Sequence, residues 1–446
     1  MSAPDRGLSV GVISLGCPKN LVDTEVMLGL LRQAGFALAT ETARADILLV
    51  NTCCFIAEAR AEATEAIEEA LAWRRTPRAK VLVVAGCWPQ SDPHHLRQHF
   101  PEIDAMLGPG DVPNIVRIVE RALGGEAVAP AAPPEAFLYD DTTPRLRTTP
   151  PWTAYLKIAD GCGHRCRFCV IPRLRGPYRS RGLESVVGEA EVMVQEGVRE
   201  INLVAQDTTA YGRETKEADL AGLLSRLAQF DELHWIRTLY AYPTSITPCL
   251  IETMATQEKV CKYLDIPLQH ADREILRSMG RPGEAESYLK LIADLRAAMP
   301  DIALRSAFIV GYPGEGEAEF RRLLEFLEAA QLDRAGAFVY SREAGTPAAE
   351  LEPQVPPDVA EARRHEVMAL QQRISLARNR AWVGRELEVL IEGHGERRTW
   401  VGRSFRDAPE IDGLVYVRVG AKPLRPGQFV AAKISNAQAY DLVGRI

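Results

Sequence analysis

The run Asp160-Gly161-Cys162-Gly163-His164-Arg165-Cys166-Arg167-Phe168-Cys169 is the point from which the rest of the chain can be read. Its spacing, Cys-x3-Cys-x2-Cys, offers three thiolates from one short loop and no fourth. A structural zinc site takes four ligands, commonly as two separated pairs. A cubane [4Fe–4S] cluster also takes four, one per iron. Three cysteines therefore leave one iron without a protein ligand, open to chelate a small molecule. Just upstream, Ala154-Tyr155-Leu156-Lys157-Ile158 reads as a strand, so the loop springs from a strand's carboxyl end.

Downstream, apolar runs recur as in strand-plus-helix units: Glu200 to Val204, Ile236 to Tyr240, Tyr263 to Ile266, Leu304 to Val310 and Arg334 to Val339. With the strand before Cys162 they make about six β/α units over residues 152–378. That predicts a partial barrel with its chemistry at the strand carboxyl ends. A helical stretch from Asp358 to Trp382 leads into residues 379–446, where short strands are punctuated by glycine. Glu386 to Ile391, Thr399 to Arg403, Leu414 to Val419 and Phe429 to Ile434 predict a small antiparallel β-barrel. It is of the OB class, which often binds RNA or protein.

Upstream, six prolines, an adjacent glycine pair and an alanine-rich run make residues 124–151 an extended connection with little core. Residues 8–123 alternate strand and helix. Val10 to Leu15, Ile47 to Val50 and Val81 to Ala85 are short apolar runs typical of buried parallel strands. Glu58 to Arg75 is helical, with basic residues at the end that suits the helix dipole. The expected fold is an open α/β sheet.

Each of those three strands runs into a cysteine: Cys17, Cys53 and Cys87, at intervals of 36 and 34 residues. Parallel strands carry their carboxyl ends to one edge, where open α/β sheets bind ligands. A helix N-terminus nearby favours the thiolate. The pattern predicts a second three-cysteine iron–sulfur site. Adjacent side chains of a strand point to opposite faces. Cys53 matches the other two strand ends, which leaves Cys54 as a packed or spare thiol. Cys249 and Cys261 have no partner spacing and fall to packing.

At 446 residues the chain has room for two to four domains, and 46% hydrophobic with 25% charged residues is ordinary globular composition. No run of eighteen apolar residues exists to span a membrane. Met1 to Gly7 lacks the basic-then-apolar pattern of a secretory signal. Nine cysteines without export point to a reducing cytoplasm and to metal ligation or catalysis. The net charge of −7 is uneven: residues 379–446 hold eleven Lys/Arg against eight Asp/Glu. That excess is weak for a nucleic-acid binder.

With Cys17, Cys53 and Cys87 ahead of Cys162, Cys166 and Cys169, and a β-barrel behind, the chain resembles the radical S-adenosylmethionine methylthiotransferases over nearly its whole length. The family's plan is an N-terminal methylthiotransferase domain, a radical core and a TRAM barrel. Within it, the chain is most similar to the branch that modifies ribosomal protein S-twelve. The residues that carry this are Ser14-Leu15-Gly16-Cys17-Pro18-Lys19-Asn20-Leu21-Val22-Asp23, Tyr155 to Cys162, Asn202 to Thr209, Leu264 to Ala271 and Asp407 to Gly413. The tRNA-modifying relatives have a glutamine and a methionine in place of Pro18 and Lys19. Two departures are Cys54, where the family commonly has glycine, and Gly163, where asparagine is frequent. Neither removes a ligand.

The resemblance implies two [4Fe–4S] clusters and S-adenosylmethionine, with a C–H bond on the β-carbon of an aspartate replaced by C–S–CH3. No general base at an accessible pKa could take that proton efficiently, so the cofactor must supply a radical. The cluster on Cys162, Cys166 and Cys169 would pass one electron to the bound sulfonium, giving methionine and a deoxyadenosyl radical. The cluster on Cys17, Cys53 and Cys87 would present sulfur, methylated by a second S-adenosylmethionine. A one-electron donor such as flavodoxin or ferredoxin is implied. Gln206, Asp207, Arg179 and Arg181 are candidate contacts to cofactor or substrate, each with a structural role as the alternative. His270 reads as a hydrogen-bonded core histidine. Trp400, Phe405 and Arg406 are candidates for a recognition surface on the terminal barrel. The rival substrate is a tRNA adenosine; the rival class is a non-catalytic redox sensor.

Overall fold

The computed structural model of the chain describes residues 6–396, 399–420 and 423–446. The first five residues of the segment read for a secretory signal lie outside these, as do Arg397, Arg398 and Lys422 of the basic excess. Among the described residues no helix is long and apolar enough to cross a membrane.

The N-terminal unit is a five-stranded, wholly parallel sheet in the order Ala37–Leu38, Ser9–Ser14, Ile47–Thr52, Val81–Gly86, Ala105–Leu107. Ile47–Thr52 and Val81–Gly86 are buried along their whole length, which is why they read as continuous apolar runs. Alternation still sorts their side chains: Ile47, Leu49, Val81 and Val83 join one apolar layer, Leu48, Val50, Leu82 and Val84 the other. Register pairs Ser14 with Asn51 and Asn51 with Ala85, so the three long strands end level.

The proline-rich run is irregular but strapped down. Arg145 is held between Glu25 and Glu189, and the Leu146 amide donates to the Glu25 carbonyl. A side chain at Gly29 would meet the Pro144 carbonyl at 2.5 Å, so the strap lies flush on the helix Pro18–Gln33.

The central unit holds six strands in two parallel sets, Thr153–Lys157, Glu200–Val204 and Trp235–Thr238, then Tyr263–Asp265, Ala303–Val310 and Arg334–Val339. A bridge between Ile236 and Val260 joins them into one arc. This is the expected partial barrel, with helices such as Leu183–Gln195 and Glu317–Ala330 packed into its large apolar core.

The C-terminal unit is a closed barrel of five strands: Glu386–His394, Thr399–Ser404, Val415–Arg418, Leu442–Arg445 and Phe429–Ala437, in that order. The expectation of an antiparallel barrel needs one correction. Val415–Arg418 and Leu442–Arg445 pair in parallel. Directions cannot alternate around a ring of odd size, so a fifth strand forces one parallel seam. That strand, short and carrying Gly444, escaped the sequence reading.

The barrel docks on the amino ends of the core strands. Glu200, Tyr263 and Arg334, each the first residue of a strand, bond Arg403, Asp412 and Asp407 respectively. Trp235, another first residue, meets Phe429 edge-on. The opposite, carboxyl ends are left for the N-terminal unit.

Candidate functional site

Where the two units meet there is a cavity of about 320 Å³, and all six predicted cysteines line it. Cys17, Cys53 and Cys87 come from the sheet edge; Cys162, Cys166 and Cys169 come from the loop after the first core strand. The core adds Gln206, Tyr240, Tyr242 and Gln269 from just beyond strand ends, and Arg281 from the turn after the helix Arg273–Ser278.

Close backbone approach gathers the first triad. A side chain at Gly16, whose φ is +86°, would lie 2.7 Å from the Cys53 Cβ; one at Gly86, φ +99°, would lie 2.3 Å from the Asn51 Oδ1. Only glycine lets Cys17 and Cys87 sit this near the end of the middle strand. Cys17 caps the helix Pro18–Gln33. Burial opposes its ionisation, but Lys19, Arg175 and the helix amides outweigh that and bring the thiol below its ordinary value. Cys53 is pushed up by burial and by Cys17, and burial takes Cys87 up to about 12.

The second triad is pinned locally. The Cys162 amide donates to the Gly176 carbonyl, Cys169 to Cys166, and Arg167 to Met279. His164, inside the loop, stacks on Tyr242 at 3.6 Å and 10°, and its Nε2 lies 2.6 Å from the Asp207 carboxylate. Arg281 donates to the Cys166 sulfur at 3.6 Å and lies over the Tyr242 ring. Burial lifts Cys162 to about 11 and Cys169 to about 12.

An ionic network welds the two halves. Arg175, 2% exposed, bonds Asp23 and Asn20 of the N-terminal helix, reaches Asp160 at 3.5 Å and donates to the Cys87 sulfur at 3.6 Å. Lys157 bonds both Asp23 and Asp160. Burial resists the Asp160 charge, yet Lys157 and Arg175 hold its carboxyl well below the usual carboxylate range.

The remaining predicted residues divide. Gln206 lines the cavity and donates to Asp160 at 3.1 Å, while its buried Oε1 has no partner among the described residues. Asp207 sits behind the cavity, holding His164 and the Thr209 hydroxyl. Arg179 points away, donating to the carbonyls of Glu135 and Phe137 in the strap. Arg181 is buried against Glu189 and the Ser185 hydroxyl. His270 is fully buried, its Nδ1 accepting from the Asp272 amide, as a core histidine would. Cys54 packs in the apolar layer under the sheet, Cys261 is buried and Cys249 is exposed. Of the suggested barrel surface, Trp400, beside His394, and Phe405, packed on Trp382, are both half-buried, while Arg406 is buried on Asp333. Lys19, Arg175, His164 and Arg281 were missed. Their signal was adjacency to a cysteine in sequence for two, and none for the others.

Among the described residues no three His, Cys, Asp or Glu side chains converge tightly enough for a single metal ion. The thiols instead frame a space, three from each side, each set without a fourth. With the orphaned Gln206 oxygen and the cation Lys19 facing the same space, this donor set fits two [4Fe–4S] clusters with open irons and a polar ligand between them.

Comparison with known proteins agrees. Residues 9–108 match the uncharacterized protein family UPF0004, 156–327 the radical SAM superfamily and 383–446 the TRAM domain. A ribosomal protein uS12 methylthiotransferase RimO of Desulforudis audaxviator is 50% identical, covering 98% of this chain and 96% of that protein. Its counterpart from Syntrophotalea carbinolica is 47% identical over the same shares. Among solved structures, the radical S-adenosylmethionine methyltransferase TsrM of Kitasatospora setae, with cobalamin and a [4Fe–4S] cluster bound, aligns with a TM-score of 0.58 at 17% identity. It covers 77% of each chain, a likeness of fold.

Proposed function

The chain belongs to the ribosomal protein uS12 methylthiotransferase family, and from that premise we propose that it adds a methylthio group to the β-carbon of an aspartate in that ribosomal protein. It is a radical S-adenosylmethionine enzyme of two [4Fe–4S] clusters. The observation that carries the reading is the single cavity lined by both cysteine triads. On this reading Cys162, Cys166 and Cys169 hold the cluster that binds S-adenosylmethionine, and Cys17, Cys53 and Cys87 hold the other. When bound, the first of these supplies the single electron that starts radical chemistry no side chain can start alone.

The chain's own contribution is position and exclusion. Asp207 fixes the His164 ring, and the ring stacked on Tyr242 holds the cysteine loop in one pose. Gln206, tied to Asp160, offers its free oxygen to a ligand's N–H. The Asp23, Lys157, Asp160 and Arg175 network keeps the two triads at a set separation, so that a group activated at one lies within reach of the other. Reduced flavodoxin or ferredoxin is the proposed electron donor, the barrel a site of RNA contact, and the cytoplasm the place of action.

The test is anaerobic. Reconstituted enzyme with S-adenosylmethionine and reductant is offered a loop peptide of the ribosomal protein and, in parallel, unmodified tRNA. Mass spectrometry showing one methylthio group on the peptide aspartate alone supports the reading. Addition to tRNA alone would overturn the substrate and keep the chemistry.

A further inference from the structure

Lys19 is the odd residue of this cavity. It is 7% exposed, lines the space between the triads, and makes no hydrogen bond or ion pair with any described residue. The Tyr240 ring lies 3.3 Å beneath the ammonium. The placement is costly three times over. A buried ammonium is expensive, and the anionic groups that offset it, Cys17 first and then Asp265 and Asp160, make no hydrogen bond to it. The first turn of the helix Pro18–Gln33, which contains no acidic residue, is the positive end of its dipole. Arg175, a second buried cation, bonds Asn20, the very next residue.

Lys19 helps bring the Cys17 thiol down, yet that triad does not depend on it alone. Arg175 already donates to the Cys87 sulfur, and the amides of Lys19 and Asn20 already face Cys17. Lys19 instead crosses from the N-terminal unit to the core, because Tyr240 stands at the end of the strand Trp235–Thr238. Tyr240 is itself held in the left-handed region, φ +61°, its amide donating to Asp265 and its carbonyl accepting from Thr208. Gln269, also on the cavity, has φ +74°. Two of the five described non-glycine residues with positive φ thus border one space, a clustering expected where strain holds ligand contacts in place.

We propose that Lys19 reads the carboxylate of the substrate aspartate, holding it over Tyr240 so that its β-carbon lies between the two triads. The assignment rests on the proposed function and adds the group that tells an aspartate from its amide. The ammonium supplies charge-assisted hydrogen bonds to a carboxylate, and a neutral carboxamide cannot replace them in kind. The Tyr240 face holds the cation from below without competing for its N–H donors.

The test is a two-by-two comparison on the cluster-loaded enzyme. Binding of the ribosomal-protein loop peptide and of its Asp→Asn analogue is measured by fluorescence anisotropy for wild type and Lys19→Met. The expectation is that wild type prefers the aspartate peptide by ~10- to 100-fold, that Lys19→Met erases this preference, and that Lys19→Arg restores most of it. A wild type that binds both peptides equally overturns the assignment, as does a Lys19→Met variant that keeps the preference, whatever its cluster content. Wild type that binds and modifies tRNA and neither peptide would instead overturn the proposed function itself.

Discussion

The two cysteine triads differ in how they are made. Cys162, Cys166 and Cys169 lie within eight residues of one loop, and their spacing is complete in the sequence. Cys17, Cys53 and Cys87 span seventy-one residues and become neighbours only when three strands align in register. A local triad depends on a turn; an assembled triad depends on a whole sheet and on what the sheet is docked against. The difference shows in their surroundings. The loop is held by its own amides and one histidine, while the sheet edge is tied to the core by Arg175, Lys157 and two aspartates.

The largest effects should separate the triads by task. Cys166→Ala is expected to abolish both deoxyadenosine and methylthio product, with the other cluster's iron retained on analysis. Cys53→Ala is expected to abolish methylthio product while deoxyadenosine still accumulates under reducing conditions. If Cys53→Ala also stopped deoxyadenosine formation, the division of labour would be wrong.

Arg175→Met attacks the weld between the triads. It leaves Asp23 and Asp160 buried with Lys157 as their remaining cation, an uncompensated charge worth about 3–5 kcal/mol of stability. A lower thermal midpoint with a wild-type fold by circular dichroism would bear this out; an unchanged midpoint would mean the network contributes little.

Acid should strain the far end of the core in preference. Burial opposes the Glu200 charge, but Arg403 and Arg237 hold its carboxyl down from 4.5 to about 2. A depressed native pKa adds stability that is complete above the unfolded value and vanishes as pH falls through the folded one. Between pH 4.5 and 2 the docked barrel should lose about 3 kcal/mol. In Glu200→Gln this part of the acid sensitivity should disappear from urea titrations.

The smallest effect is Cys54→Ala. This thiol is packed in the apolar layer, and burial raises it far above its ordinary value. The variant should cost about 1 kcal/mol and leave product formation intact. Loss of a cluster would mean that Cys54, and not Cys53, is the ligand.

Long-range pairing accounts for what the sequence did not reveal. Arg179 and Arg181 sit in a basic stretch that looks like a binding loop, yet their targets are carbonyls of the strap and a buried glutamate. Arg406 looks exposed in a barrel hairpin, yet it is buried on Asp333 of the core. Both errors have one cause: a long side chain's environment depends on what packs over it, and no short window contains that.

The sequence alone determined the strand and helix alternation, the three-part division, the six thiols and the edge at which three of them meet. Those follow from periodicity and spacing, which act over a few residues and survive in the letters. Only the tertiary structure decided that both triads face one cavity, that Arg175 and Lys157 weld the halves, that five strands force a parallel seam, and that Lys19 lies over Tyr240 between the triads. These depend on the docking of one unit against another, where distances between residues more than a hundred positions apart are settled by packing and charge.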